Sequence, residues 1–234
     1  MVRIKNIIAA VFIIAISTII MGCSDDSNPT TTTASKSNVL VTHTSPNAPG
    51  VDLLVDGTVS GTNLMFPNST AYLSVNSGTR NIKVNVTGTS TTVIDANVPF
   101  DKDMNYSIFA VDSVAKISPV VVTDNLTMPA SGKSHIRFFH FSPNAPAVDV
   151  AVTGGPVLYP NRTFNKTVNS TEMAFTPVDA GTYNLEVRLS GTTTVVLNLP
   201  GIVLENGKIY TVFAKGFVGG SGSQALGAQI IVNK

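Results

Sequence analysis

Two decapeptides concentrate the residues of this chain that could do chemistry. Residues 43–52 read His-Thr-Ser-Pro-Asn-Ala-Pro-Gly-Val-Asp, and residues 140–149 read His-Phe-Ser-Pro-Asn-Ala-Pro-Ala-Val-Asp. They agree at eight of ten positions and are offset by 97 residues. Each carries a serine, a histidine and an aspartate, the types that make a hydrolytic triad when the base reaches the nucleophile beside an oxyanion site. The same His/Asp pairs could begin a metal site, but zinc takes three or four ligands, and His135 is the one histidine outside the pairs. Both chemistries require the groups to converge on a point.

Strand phase argues against convergence. Side chains alternate between the two faces of a strand. His43 is in phase with Val39 and Val41, and His140 with Ile136 and Phe138, so each ring ends a core-facing row. Asp52 is out of phase with Val51, Leu53 and Val55, as Asp149 is with Val148, Val150 and Val152. Histidine and aspartate are therefore expected on opposite faces. Pro46, Pro49, Pro143 and Pro146 fix φ and lack a backbone donor, and Ser45 and Ser142 are pushed toward extended geometry by the prolines that follow. Pro46-Asn47 and Pro143-Asn144 fit the central positions of a type I turn. The decapeptide reads as a stiff joint between two strands, its ring capping the core and its carboxylate fixing a turn or facing solvent. No catalytic residue, metal or cofactor is assigned.

The elements around the joint also repeat. Ile82-Lys83-Val84-Asn85-Val86-Thr87 alternates strictly, and Tyr183 to Leu189 repeats the pattern at an offset of 103, so the second copy holds six extra residues. Tyr106–Ala110 and Tyr210–Ala214 extend the repeat. No helical period is sustained after the leader, and short strands broken by Gly, Asn and Pro predict an all-β protein. The expectation is two tandem antiparallel β-sandwiches of immunoglobulin-like or transthyretin-like kind, over residues 38–128 and 134–234, each with about seven strands. In the first copy the strands are expected near 39–43, 51–55, 64–66, 71–75, 81–87 and 93–98, with a hairpin over 106–123. Residues 124–134 read as a linker.

The decapeptide closely resembles the H-x-S-P-D-A-P-x-V-D signature of a bacterial family, domain of unknown function 4397. The resemblance implies tandem β-sandwich domains in exported and surface proteins and brings no catalytic residue with it. Asn47 and Asn144 stand where that family usually has aspartate.

Two other segments bear on function. Pro156–Ser170 holds the excess residues of the second copy with Tyr159, Arg162, Phe164 and Lys166, and such a loop on a rigid sandwich is a candidate binding surface. Gly216–Gly222 is glycine-rich but lies between strands, whereas a phosphate loop needs a helix N-terminus. It reads as a hairpin loop.

The N-terminus addresses the chain. Arg3 and Lys5 precede an uncharged apolar run of 14 residues, Ile7–Ile20, the length of a signal-peptide core rather than of a bilayer span. Ile20-Met21-Gly22-Cys23 resembles the lipobox of bacterial lipoproteins, which implies removal of residues 1–22 and lipidation of Cys23. As the chain's single cysteine it has no intramolecular disulfide partner. Residues 23–37 then form a lipidated, polar tether with too few apolar groups to order itself.

Without the leader the chain carries 13 basic and 14 acidic residues, and the absence of a basic stripe argues against nucleic acid. The expected protein is a lipid-anchored, non-enzymatic binding, adhesion or structural module of the bacterial cell envelope, in the outer membrane, facing the periplasm or the exterior. Its partners would be the membrane and a surface glycan or protein. The alternative is an envelope enzyme or carbohydrate-processing accessory with chemistry at the His/Asp motif. Replacing Cys23 with Ser should release the protein from the membrane fraction or block its processing; an unchanged mass and membrane partition would refute the anchor.

Overall fold

The computed structural model describes residues 34–234, which form one compact unit. The leader, Cys23 and most of the tether lie outside the described residues. The first copy comprises eight strands: β1 Lys36–His43, β2 Val51–Val55, β3 Thr58–Leu64, β4 Leu73–Asn76, β5 Gly78–Val86, β6 Thr92–Phe100, β7 Asn105–Val111 and β8 Ser118–Thr123. The second repeats them as β9 Lys133–His140, β10 Val148–Val152, β11 Val157–Arg162, β12 Thr176–Asp179, β13 Gly181–Leu189, β14 Val195–Leu204, β15 Ile209–Lys215 and β16 Gly227–Val232. One helical turn, α1 Ser170–Met173, precedes β12.

Each copy is a sandwich of two four-stranded sheets. The first pairs β3-β2-β5-β6 with β4-β1-β7-β8, and the second pairs β11-β10-β13-β14 with β12-β9-β15-β16. Val39, Val41, Leu53, Ile82 and Val84 pack in the first core, and Ile136, Phe138, Val150, Val187 and Val212 in the second. The tandem β-sandwich architecture is as expected, and the hairpin over 106–123 forms β7 and β8. β3 departs from the strand expected at 64–66, meeting it only at Leu64; its sequence, Thr-Val-Ser-Gly-Thr-Asn-Leu, is that of a largely exposed edge strand with little apolar alternation.

The pairing at the centre differs from the all-antiparallel expectation. β1 runs parallel to β7, and β9 parallel to β15. Parallel pairs are found where both faces are covered, and these strands are covered twice. One face of each meets its own sandwich; the other meets the second copy. Phe109, Phe139, Phe141 and Phe213 are fully buried in a third core with Leu40, Val111, Val120, Val122 and Ile231. Their rings contact at centroid separations of 4.9 Å for Phe109 and Phe141 and 5.4 Å for Phe109 and Phe139, in range for favourable aromatic pairing.

A closed polar ring crosses this interface. Arg137 of β9 has no solvent exposure and donates through Nη2 to Asp124 Oδ1 (2.6 Å) and through Nε to Thr211 Oγ1 (2.9 Å). Thr211 donates to Asn233 Oδ1 (2.7 Å), Asn233 Nδ2 to the Tyr72 hydroxyl (3.0 Å), and Tyr72 to Asp124 Oδ2 (2.5 Å). Ser107 Oγ also donates to Asp124 Oδ2 (2.7 Å). Burial and the Asp124 carboxylate push the Tyr72 phenol up from its ordinary value, so it remains a donor. The guanidinium lies over Phe175 at 4.2 Å, and its Nη1 donates to the Met173 carbonyl at the end of α1 (3.3 Å). Asp124 begins the segment expected to be a linker, yet it is 2 % exposed. It belongs to the interface because Arg137 requires a buried counter-charge.

The contacts fix the direction of both copies. Lys166 of the second copy pairs with Asp112 of the first (3.3 Å), and Lys215 lies 5.5 Å from the Phe66 ring, both at the end where β1 and β9 deliver their decapeptides. Asn233 on Tyr72 and Lys234 on the Leu126 carbonyl (2.9 Å) mark the other end. Both decapeptides therefore lie at one end of the unit, and Lys36 at the opposite end; residues 36 and 37, expected to end the tether, instead open β1, with Ser37 buried.

Position 137 in β9 corresponds to Leu40 in β1 by strand register. Arg137→Leu should cost about 3–5 kcal/mol, because it leaves the Asp124 carboxylate buried without its partner. Adding Asp124→Asn should recover part of that loss. Denaturant midpoints of the single and double variants check both expectations; a near-neutral Arg137→Leu would contradict them.

Candidate functional site

The decapeptide folds the same way twice. β1 ends at His43, and the chain turns at Pro46-Asn47, where the Ala48 amide meets the Ser45 carbonyl at 3.4 Å. The second copy repeats the turn from Ser142 to Ala145 at the same distance. This is the turn that the Pro-Asn spacing predicts. Both rings have no solvent exposure. His43 Nε2 lies 3.0 Å from the Pro49 carbonyl and His140 Nε2 lies 3.2 Å from the Pro146 carbonyl. A carbonyl only accepts, which assigns the proton to Nε2 and leaves Nδ1 unprotonated in the neutral ring. Desolvation holds both histidines below the ordinary imidazole value of 6.5, outweighing the carbonyls, which act the other way.

The aspartates are engaged elsewhere. Asp52 Oδ1 accepts from the Asn63 amide (2.8 Å) and the Thr87 hydroxyl (3.0 Å), and Oδ2 accepts from the Gly88 amide (3.2 Å). Asp149 repeats this with the Asn161 amide (2.6 Å), the Ser190 hydroxyl (3.0 Å) and the Gly191 amide (2.9 Å). Asn63 and Asn161 have φ of 49° and 47°, at irregularities in the β2–β3 and β10–β11 pairings. Each carboxylate thus clamps a left-handed bulge residue to the glycine turn after β5 or β13. The amides at Asn63 and Asn161 are the foremost reason that both carboxyls lie below their usual range.

The asparagines complete the joint. Asn47 Oδ1 accepts from the Val114 amide (2.9 Å), while Asn144 accepts from the Val218 amide (2.9 Å) and donates to its carbonyl (3.1 Å). They tie each decapeptide to the loop after β7 or β15. The donation from Asn144 is one that an aspartate could not make.

The motif's potential catalytic atoms are thus not assembled. Histidine and aspartate bind separate partners, and neither bonds Ser45 or Ser142. Ser45 Oγ, Ser142 Oγ and both His Nδ1 atoms are buried with no hydrogen-bond partner among the described residues. Among those residues no three His, Cys, Asp or Glu side chains are grouped to hold a metal, and no helix is long and apolar enough to cross a membrane.

A family model described as Domain of unknown function (DUF4397) matches residues 37–151, which hold both decapeptides. The chain resembles that family. The resemblance spans the first sandwich from the second residue of β1 and reaches β10 of the second. No curated protein matches the chain. Among solved structures it is similar to the Bacillus anthracis TIE protein at 12% identity, with a TM-score of 0.25, covering 77% of this chain and 34% of that one. The chain thus spans about a third of that protein's length.

The candidate binding segment of this DUF4397-like chain needs correction. Val157–Arg162 is strand β11 rather than loop. Tyr159 is buried, with its hydroxyl on the Ile136 carbonyl (2.8 Å). Arg162 lies over the Tyr159 ring and 3.8 Å from Glu172. Phe164 packs on the third core, and Lys166 reaches Asp112. Most of the extra residues lie between β11 and β12, where Asn165 and α1 back the interface. Asn165 Oδ1 accepts from the His140 amide (2.7 Å), and its Nδ2 donates to Glu172 (2.9 Å). The excess backs the pairing of the copies through Phe164 and Asn165, while Thr163, Lys166 and Thr167 stay exposed. The sequence signal that was missed is Asn169 followed three residues later by Glu172, a capping box that closes α1.

A histidine whose folded value is depressed binds its proton more readily when unfolded. Its contribution is full above the unfolded value of 6.5 and is lost as pH falls through the folded value. The thermal midpoint should therefore drop as pH falls below 6.5, and His43→Gln with His140→Gln should flatten that limb. Asp52 and Asp149, whose carboxyls are also depressed, lose their contribution only below 3.8. A second decline should persist there in the double variant.

Proposed function

We propose that this protein is a lipid-anchored module of the bacterial cell envelope that binds or supports without catalysing. Cys23 would carry the lipid, and the tether before Lys36 would hold the paired sandwiches off the membrane. One observation carries the non-catalytic part. In both copies the motif's His Nε2 and Asp oxygens are bound to backbone groups of the same sandwich. A general base must reach the proton it abstracts, and these groups are taken by the joint they build. The buried serine hydroxyls are likewise out of a substrate's reach.

The anchor gives the geometry a direction. The tether enters at Lys36, and the decapeptides emerge at the other end of β1 and β9, about 25 Å away at strand rise. The turns at Pro46-Asn47 and Pro143-Asn144, with the loops they hold, would face away from the membrane toward a glycan or protein partner. The unit would serve as a stiff stalk with a two-part tip.

The test is the double replacement of His43 and His140 by Gln. Its expected result is a lower melting temperature with unchanged retention of the folded protein on isolated cell envelopes. A double variant that folds with its normal melting temperature but loses a measurable ester- or glycoside-hydrolysing activity of the parent would establish the enzyme instead.

A further inference from the structure

The two copies place equivalent residues differently at the tip. In the first, Asp112–Ile117 joins β7 to β8, and Ile117 packs against the first core. In the second, the connection runs from Gly216 to Leu226, five residues longer. Leu226, one residue before β16 as Ile117 is one residue before β8, instead lines a cavity of about 330 Å³ between the sheets of the second sandwich.

The longer loop has a defined shape. Phe217 donates from its amide to the Gln224 carbonyl (2.8 Å), and Gly220 donates to the Phe217 carbonyl (3.0 Å). A Cβ on Gly216 would come within 2.1 Å of the Ala225 oxygen, and one on Gly220 within 2.3 Å of the Gln224 oxygen. Glycine is required because backbone meets backbone there. Asn144 ties Val218 to the decapeptide by two hydrogen bonds. The glycine-rich run is thus a fixed rim that frames the cavity.

The lining decides the chemistry. Phe138, Val148, Val187, Leu197 and Ala228 form walls, and no charged residue contributes. His140 supplies the only polar side chain in the lining, and its Nδ1 has no partner among the described residues. At the rim Val196 and Val218 are 39% and 49% exposed. An apolar cavity of about 150 Å³ accepts benzene, so this one has room for a molecule roughly twice that size. A charged ligand would be desolvated here with nothing to pair it.

We infer that the second sandwich binds a compact, uncharged, largely hydrocarbon molecule or chain end in this cavity. The inference rests on the reading of the protein as a binding module and names a ligand class for one of its two copies. It concerns His140 as a wall, not as a catalyst.

Residues 34–234, which contain all three cores, can be titrated with the uncharged fluorophore N-phenyl-1-naphthylamine. One saturable site is expected, with the methyl resonances of Val187, Leu197 and Leu226 shifting along the titration. Ala228→Phe, and separately deletion of residues 219–223 to match the shorter loop of the first copy, should each weaken the probe by about tenfold or more. Displacement by 1-decanol alone would identify a free small molecule, and displacement by lysophosphatidylcholine below its micelle concentration a lipid acyl chain; either supports the site. No saturable binding, or methyl shifts confined to residues outside the cavity, would overturn it, whether or not the variants fold. Probe binding unchanged in a folded variant would do the same. Such a failure leaves the non-catalytic reading intact, since that reading is decided by the fate of activity in the His→Gln variant.

Discussion

A guanidinium and a carboxylate, both wholly removed from water, govern how the two halves of this protein meet. Taking two such charges from solvent costs several kcal/mol each, and their attraction repays this only with good geometry and full hydrogen bonding. Arg137 and Asp124 obtain both, through a ring that uses Thr211, Asn233, Tyr72 and Ser107 and draws members from each copy. Phenylalanines alone could slide against one another, since dispersion and burial are weakly directional. The ring has one register. It aligns β7 with β9, and that alignment brings both decapeptides to the same end.

The shared interface also explains the strand order. A sheet with one wet face favours antiparallel pairs and alternating sequence, whereas a parallel pair is found where both faces are covered. β1 with β7 and β9 with β15 are the strands covered by a core on one side and the other copy on the other. The outer sheets keep the alternating pattern and the polar face, as at Asn81, Lys83 and Asn85 of β5. Duplication thus let two sandwiches bury against each other the faces that a single copy would expose. The joint at each decapeptide contributes by clamping the outer sheet through Asp52 or Asp149 and closing the inner core with a neutral ring.

Much of this was legible in the sequence where local chemistry decides. Repetition of ten residues revealed the duplication, and strict alternation located β5 and β13. Proline before asparagine gave the turn, and strand phase separated histidine from aspartate. What was not legible depended on the partner copy. Phe109, Val111, Phe139 and Phe141 interrupt the alternation of their strands, and Arg137 stands where a half-exposed strand would put a solvent-facing side chain. Read singly, those residues look like noise; only the second copy supplies their environment. Most of the polar β3 is illegible because an edge strand needs little apolar pattern. The inward role of the extra residues before β12 is illegible because a helix of one turn shows no period.

The two copies differ in what they can do. Their joints are alike atom for atom at histidine and aspartate, so a function common to both would have to act through the turns or loops at the tip. Difference enters at the loops that Asn47 and Asn144 hold. A short connection lets Ile117 pack against the first core, while a longer, glycine-framed one leaves Leu226 on the wall of a cavity. Cavities of that size forgo dispersion contacts that a packed core would make, and the neighbouring copy demonstrates that this scaffold can pack the equivalent side chain. The openness of the second sandwich is therefore a property of one loop, and that loop can vary without disturbing the ring, the interface or the joint.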